Sequence, residues 1–434
     1  MAFIDHECRP LGSLSLLFTC WKAFLLAIAL GASVGPDYDT STSLFFDRVY
    51  GQQAAVSALA QRLTRWDALY FAHAARVGKV YEQEWAFSIS HSGLVSALTG
   101  LVPTDLLGVD DGATVLEPLV GIAVANLSHL LSVLTLYHLT ALVSSDRRLA
   151  FVASILHIIS PAGLFLSAPY AESTFSCLSF LATWLFALSY KHRHSTVKRG
   201  VSLVASGALF GLSALFRSNG LASGLLFAVE AVRCLISFAQ KPGLSSLLSL
   251  LFPVVGGLYI AGGFAAPQVI AWMRYCDGAA LRPWCARTLP SIYTFVQEHY
   301  WNVGFLRYWA PNQLPLFLLA SPVLALLITS GIQVLREPSS TLNLLAPGTN
   351  EPFRLLVRSL AATQTLVALL AITNYHVQVI NRLSSGYVVW YWWIAGCLLA
   401  ENDRRRSIGL AVVIFFVMYA GIQGSLFASF LPPA

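Results

Sequence analysis

Residues 11–34 have the sequence LGSLSLLFTCWKAFLLAIALGASV, which is apolar apart from Lys22 and a few small polar side chains. An α-helix needs about 20 such residues to cross the hydrocarbon core of a bilayer. The stretch is too long for the apolar core of a signal peptide, and no small-residue cleavage site follows it at Gly35-Pro36-Asp37. We therefore interpret it as a retained first membrane span.

The rest of the chain repeats this apolar pattern. Of its 434 residues, 56% are hydrophobic and 11% are charged, whereas a soluble domain carries about 25% charged residues. Together with the first run, the later apolar runs predict an all-α polytopic protein, a bundle of about eleven transmembrane helices that forms a single membrane domain over residues 1–434. The later runs begin near residues 118, 149, 173, 200, 221, 246, 315, 354, 387 and 408.

The formal net charge of +6 is explained by membrane topology rather than by a nucleic-acid partner. No basic cluster lies on a soluble segment where it could follow a phosphate backbone. Lys and Arg instead occupy every second connection between apolar runs, which is typical of short cytosolic loops. Those connections, and the amino terminus, are therefore predicted to be cytosolic. Their basic residues are Arg147, Arg148, Lys191, Arg193, Lys198, Arg199, Arg233, Lys241, Arg336, Arg404, Arg405 and Arg406.

The opposite, lumenal side is predicted to receive two long connections, residues 35–117 and 271–313. In the first, residues 54–80 have apolar positions at helical spacing with interspersed Arg and Lys, which favours a helix lying on the membrane surface. The second contains Cys276 and Cys285, for which a disulfide and two free thiols are about equally expected. Residues 338–352 resemble a cytosolic linker.

Trp66 and Asp67 lie within the predicted interfacial helix, and Glu82 follows shortly after it. A carboxylate at the bilayer boundary, shielded by a neighbouring indole, can act as a general base on a hydroxyl group of a membrane-tethered substrate. The alternative is an amphipathic surface helix with a solvated Asp and an anchoring Trp. Spacing alone favours this plainer alternative.

Residues 293–309, YTFVQEHYWNVGFLRYW, place hydrogen-bonding side chains among closely spaced aromatic rings in the second long loop. Such a mixture can hold the faces of sugars while bonding their hydroxyl groups. Aromatic belts at membrane interfaces have a similar composition, so a binding site and a belt are equally compatible with it. The candidate residues are Gln297, His299, Tyr300, Trp301, Asn302 and Arg307.

Two further polar turns carry arginines at the predicted lumenal side. Arg217 interrupts two apolar runs, and Arg382 follows His376 and Gln378 in the turn before a Trp-rich span. An arginine at membrane depth usually has a partner, and the phosphate of a lipid-linked donor would be suitable. A snorkelling Arg paired with a carbonyl is the alternative. No His or Cys pair has metal-ligand spacing, so no metal site is predicted.

Five segments together resemble the signature blocks of the PIG-V family of GPI mannosyltransferases. They occur in family order over most of the chain, and the block that ends at residue 309 is highly specific. The segments are WDALYFAHAARVGKVYEQEWAFS (66–88), SPAGLFLSAPYAEST (160–174), ALFRSNG (214–220), PWCARTLPSIYTFVQEHYWNVGFLRYW (283–309) and HVQVINRLSS (376–385).

The resemblance implies a GT-C type glycosyltransferase of the endoplasmic reticulum membrane with a lumenal active site. Its donor would be dolichyl phosphate mannose, a co-substrate rather than a cofactor. Its acceptor would be mannosyl-glucosaminyl-phosphatidylinositol, which would receive a second mannose in α1,6 linkage. Whether a small membrane accessory subunit is needed, as in fungal relatives of this family, stays open.

Since a β-linked donor gives an α-linked product, the implied reaction is an inverting single displacement. Asp67 is then the predicted base, with Glu172 as the reserve acid. Arg307, Arg217 and Arg382 compete for the donor phosphate, and Arg307 is favoured because its loop is the most aromatic and the most family-specific.

Three other functions are compatible with many spans and few charges. A transporter or flippase should show paired halves with broken helices near mid-membrane, and no such symmetry is visible. A non-catalytic subunit of a GPI assembly complex would tolerate the loss of Asp67. A sister GT-C enzyme with a different lipid-linked acceptor is opposed only by the signature blocks.

Overall fold

The computed structural model describes residues 7–35, 37–103, 115–278, 282–338 and 351–432. Within these ranges the chain forms helices and irregular connections without strands. The α-helices are Pro10–Gly31, Ser41–Tyr50, Ala58–Leu63, Asp67–Val77, Ile89–Thr99, Glu117–Ser144, Arg147–Ile158, Glu172–Lys191, Thr196–Phe216, Gly224–Gln240, Leu244–Tyr275, Ile292–Trp301, Leu314–Arg336, Glu351–Asn374, Ile380–Leu383, Val389–Leu398 and Asp403–Ala428. The 3₁₀ helices are Ala32–Val34, Glu82–Ala86, Gly163–Leu166, Ser218–Ser223, Pro283–Ala286, Pro311–Gln313, Val377–Val379 and Ser384–Gly386.

Nine helices of the described ranges are long and apolar enough to cross a bilayer, which confirms the predicted all-α polytopic membrane fold. Two further helices, Arg147–Ile158 and Val389–Leu398, have 12 and 10 residues. At 1.5 Å per residue they cover only about half of the hydrocarbon core. Each adjoins a largely buried segment of short helical turns and irregular backbone, 159–171 or 375–388. The number of eleven crossings stays a prediction, because it depends on these two broken segments.

Glycines bring two of the long helices into backbone contact. A Cβ on Gly207 of helix Thr196–Phe216 would collide with the backbone of Gly256, and one on Gly263 would collide with the backbone of Gly211. Small residues allow such close approach in membranes, where dispersion and tight packing hold helices together. This contact fixes the end of the helix that delivers Arg217.

The segments predicted to be lumenal pack on one another at one end of the bundle. Glu82 of the first long loop accepts hydrogen bonds from Arg282 and from Trp284, the latter at 3.2 Å, in the second long loop. Cys276 and Cys285 form a disulfide, which decides the alternative that the sequence left open. Both long loops are therefore packed, structured parts of the fold and not only connections between helices.

The predicted continuous helix over residues 54–80 is wrong in one respect. The structure has two helices there, Ala58–Leu63 and Asp67–Val77, separated by a break at residues 64–66. Trp66 at the break has φ 55° and ψ −126°, a conformation that residues other than glycine rarely adopt. Asp67 therefore begins a helix instead of lying within one. The predicted linker at 338–352 lies outside the described residues except for its ends.

We expect a tag inserted after His194 and a tag inserted after Leu289 to report opposite compartments. Both residues lie in exposed connections, and His194 is flanked by the basic residues that direct short loops to the cytosol. Antibody access before and after permeabilisation of the membrane that contains the protein measures the sidedness. Access to both tags before permeabilisation would overturn the topology.

Candidate active site

A cavity of about 470 Å³ lies where the long loops meet the ends of the bundle. Its walls come from the break before helix Asp67–Val77, from residues 85–89, from the end of helix Thr196–Phe216, from helix Leu244–Tyr275, from helix Ile292–Trp301 and from residues 375–383. Eight of the sequence-predicted site residues line it. They are Trp66, Asp67, Arg217, Gln297, Trp301, His376, Gln378 and Arg382.

Four ionisable side chains form a continuous chain of ion pairs at this cavity. Arg382 donates a hydrogen bond of 2.6 Å to Asp67, and its Nε lies 3.3 Å from Oε1 of Glu172. Arg217 donates to the same oxygen of Glu172. Glu172 is almost fully buried, with a side-chain exposure of 1%, whereas that of Asp67 is 30%. Two carboxylates and two guanidinium groups thus balance one another, and Asp67 is the carboxylate that reaches the open space.

Arg382 is held as a cation. Burial by itself would lower its pKa, but the charges of Asp67 and Glu172 raise it above its ordinary value. The guanidinium carbon lies 5.1 Å from the ring centroid of Phe165 and 5.3 Å from that of Tyr170, and such ring contacts stabilise a desolvated cation. A permanent positive charge therefore sits next to Asp67.

The strained turn before Asp67 is fixed by its neighbours. The hydroxyl of Tyr170 donates a 3.0 Å hydrogen bond to the carbonyl of Arg65, and the ring of Trp66 packs 4.9 Å from that of Phe430. Strained backbone persists only where surrounding contacts determine it, and it concentrates at functional sites. These contacts hold the Asp67 carboxylate toward Arg382.

The remaining wall of the cavity presents neutral polar groups and rings. Gln378 accepts a hydrogen bond of 3.2 Å from Tyr308, and the ring of His376 lies 4.9 Å from the Tyr308 ring. Burial lowers the pKa of His376, which keeps the imidazole neutral near pH 7. Together with Gln297 and Trp301, this wall can bond and stack on sugars without adding charge.

The structure does not bring every candidate residue to the cavity. Arg307 lies outside it and pairs with Glu298 at 2.8 Å. Glu82 anchors the two long loops, and Tyr300 donates to it at 3.1 Å. His299 stacks on Phe295, and Asn302 ends its helix in a left-handed conformation, φ 50°. Glu172 does not line the cavity, and its carboxylate pairs with two residues that do, Arg217 and Arg382.

Other cavity residues are not among the predicted site residues. Tyr70 stacks on Phe87 with ring centroids 4.6 Å apart, and both line the cavity. Pro267 and Gln268 line it from within a spanning helix. A Pro-Gln pair inside an apolar run was the available signal, because polar residues in spans usually face a cavity or a partner.

Among the described residues, no group of three or more His, Cys, Asp or Glu side chains is arranged to hold a metal ion. The described lining of the cavity carries one carboxylate, two guanidinium groups and neutral polar and aromatic side chains. Activity without metal stays a prediction.

The chain was compared with family models, curated proteins and solved structures. A family model described as mannosyltransferase (PIG-V) matches residues 17–434. The chain is 56% identical over its whole length, and over the whole of the relative, to "GPI mannosyltransferase 2" of Gibberella zeae. It is 32% identical to "GPI alpha-1,6-mannosyltransferase 2" of Cricetulus griseus, over 81% of this chain and 76% of that one. The solved oligosaccharyltransferase of Archaeoglobus fulgidus is 13% identical, with a TM-score of 0.44 over 95% of this chain and 56% of that chain.

Proposed function

This chain belongs to the mannosyltransferase (PIG-V) family, and on that premise we propose that it transfers mannose from dolichyl phosphate mannose to mannosyl-glucosaminyl-phosphatidylinositol. The product carries a second mannose in α1,6 linkage. The observation that carries the proposal is the ion-pair chain from Asp67 through Arg382 to Glu172 and Arg217 at one cavity. This chain of ion pairs places the base, Asp67, next to a phosphate ligand, Arg382.

The reaction is a single displacement with inversion. The 6-hydroxyl oxygen of the acceptor mannose attacks the anomeric carbon of the donor mannose, and the bond from that carbon to the phosphate oxygen breaks. Asp67 accepts the hydroxyl proton. Dolichyl phosphate departs with one additional negative charge, which Arg382 and Arg217 stabilise.

Charge balance links the base to the phosphate site. Arg382 donates a hydrogen bond of 2.6 Å to the Asp67 carboxylate. Protonation removes the negative charge of Asp67 and weakens its ion pair with Arg382. The departing phosphate gains negative charge in the same step. The same guanidinium can therefore compensate the carboxylate before the reaction and the phosphate during it. This arrangement supports Arg382, with Arg217, as the phosphate ligand in place of Arg307.

We infer that lipid tails reach the cavity past apolar side chains of its wall. Phe264 and Pro267 of a spanning helix, with Phe216 and Ile89, form apolar parts of its wall. A sugar headgroup can occupy the polar part while its tail stays in the bilayer. The disulfide between Cys276 and Cys285 supports an oxidising compartment for these loops, and hence a lumenal site in the endoplasmic reticulum with the amino terminus cytosolic. An accessory subunit remains an expectation from the family.

Depleting this protein should cause the one-mannose glycolipid to accumulate. If the proposed acceptor is right, each later intermediate of the anchor precursor is lost, because the second mannose is never added. Lipid extraction, labelling with radioactive mannose and mass spectrometry identify the accumulating species. Accumulation of a two-mannose or a mannose-free intermediate would assign this chain to a different step. Unchanged precursors with an altered distribution of another lipid between leaflets would favour a flippase.

A further inference from the structure

Two exposed arginines share one carboxylate outside the cavity. Arg287 donates to Oε2 of Glu298 at 3.0 Å, and Arg307 lies 2.8 Å from Oε1. The hydrogen bonds from these arginines lower the pKa of Glu298, so the carboxyl is ionised. Two positive charges and one negative charge leave an excess of one positive charge, and both guanidinium groups keep unfilled donors.

The segment that carries Arg307 is fixed at the level where a spanning helix ends. The backbone N–H of Leu306 donates to the carbonyl of Thr373 at 2.6 Å, and Nε1 of Trp309 donates to that of Ile372 at 2.8 Å. Both acceptors lie in the last turn of helix Glu351–Asn374. The side chains of Phe305 and Trp309 are 71% and 59% exposed. Exposed aromatic residues at the end of a span are typical of the lipid headgroup region.

The arginine pair and the cavity lie against different faces of one short helix. In helix Ile292–Trp301, Gln297 and Trp301 face the cavity, whereas Glu298 faces the arginines. Ten helical residues span about 15 Å. An anion held by Arg287 and Arg307 would therefore sit beside the cavity at headgroup level.

We propose that Arg287 and Arg307 bind the phosphodiester that joins the inositol of the acceptor to its lipid. This inference rests on the proposed function. The inositol, glucosamine and mannose rings separate that phosphodiester from the reacting hydroxyl, so its site has to lie outside the catalytic cavity and near the headgroups. The donor phosphate is bonded directly to the reacting carbon, so it has to lie near Asp67, where Arg382 and Arg217 are.

The test compares two synthetic acceptors. One is a short-chain mannosyl-glucosaminyl-phosphatidylinositol, and the other carries the same sugars on a neutral alkyl ether in place of the phosphodiester. For the wild-type enzyme, KM should be about fivefold lower for the charged acceptor, the ordinary size of an exposed charge contact. In the double variant R287Q/R307Q this preference should disappear, with kcat and the donor KM unchanged.

Two more variants separate binding from structure. Glu298→Gln removes the competing carboxylate and should lower KM for the charged acceptor alone, whereas a structural role would make this variant resemble the double variant. Arg354→Gln is the matched control, because Arg354 pairs with Glu351 in the same way at the far end of helix Glu351–Asn374. It should leave both KM values unchanged.

A preference that survives in R287Q/R307Q would overturn the inference, as would an equal rise in KM for both acceptors, which indicates binding of bulk anionic lipid. If the donor KM rises instead, Arg307 is a ligand of the donor phosphate. If the wild-type enzyme transfers mannose to neither acceptor, the proposed function fails and this inference fails with it.

Discussion

Replacing Asp67 by asparagine should lower mannose transfer at least about a hundredfold, the lower end of what a general base contributes. Asparagine keeps the size of the side chain and can still accept a hydrogen bond from Arg382, but it cannot take the proton of the acceptor hydroxyl. Donor binding should stay within about threefold, because removal of a base acts on the transition state and not on the ground state. Initial rates in membranes containing both lipid substrates measure the effect.

The matched control is Asp403→Asn. Asp403 is an exposed acidic residue at the first turn of helix Asp403–Ala428, and its replacement should leave the transfer rate unchanged. Protein abundance and the melting temperature in detergent should be similar for the wild type and both variants, since Asp67 is not fully buried. Near-normal transfer by Asp67→Asn at normal abundance would remove this residue from the role of base.

Replacing Arg382 by glutamine should abolish transfer and also destabilise the protein. In this variant Glu172 keeps only Arg217 as an ion-pair partner. Removing one partner of a buried ion pair lowers the free energy of unfolding by about 3 to 5 kcal/mol. It also removes a donor from the departing phosphate. Thermal unfolding in detergent reports the loss of stability, and binding of dolichyl phosphate reports the phosphate site.

A second substitution separates the two effects of Arg382. In the double variant R382Q/E172Q the four-residue chain is reduced to one carboxylate, Asp67, and one guanidinium, Arg217, which restores its charge balance, so the melting temperature should recover part of its loss. Transfer should stay abolished, because the phosphate ligand is still missing. Recovery of transfer together with stability would mean that Arg382 supports the fold and does not act on the phosphate.

The spans could be predicted from the sequence because burial in lipid requires long apolar runs, and these are visible without any tertiary information. The two segments at which a span is interrupted, 159–171 and 375–388, could not be predicted in this way. Helix Arg147–Ile158 ends halfway through an apolar run, and residues 159–171 are buried, in part by contacts of Leu164 with Gln423 and of Phe165 with Phe427. The break at Trp66 was hidden for a similar reason. Apolar residues continue at helical spacing through residues 64–66, while the turn is held by Tyr170 and Phe430, which are remote in sequence.

The members of the candidate site were easier to predict than their partners. Asp67, Arg217 and Arg382 stand out because charge is rare in this chain. Asp67 pairs with Arg382, and Glu172 joins Arg382 to Arg217. These contacts depend on four segments meeting at one end of the bundle, which no spacing in the sequence encodes. The sequence favours Arg307 because of the density of aromatic residues around it and because its loop is the most family-specific. That density also marks a membrane interface, and the structure places Phe305 and Trp309 on the surface.

The positions of the two substrates in the cavity test the proposed mechanism most directly. A cryo-electron microscopy structure of the Asp67→Asn variant with dolichyl phosphate mannose and the one-mannose acceptor measures this. We expect the acceptor 6-hydroxyl oxygen within about 3.2 Å of the residue 67 side chain, and the donor phosphate in hydrogen-bonding contact with Arg382 and Arg217. A phosphate bound at Arg307, with the 6-hydroxyl remote from residue 67, would contradict the account.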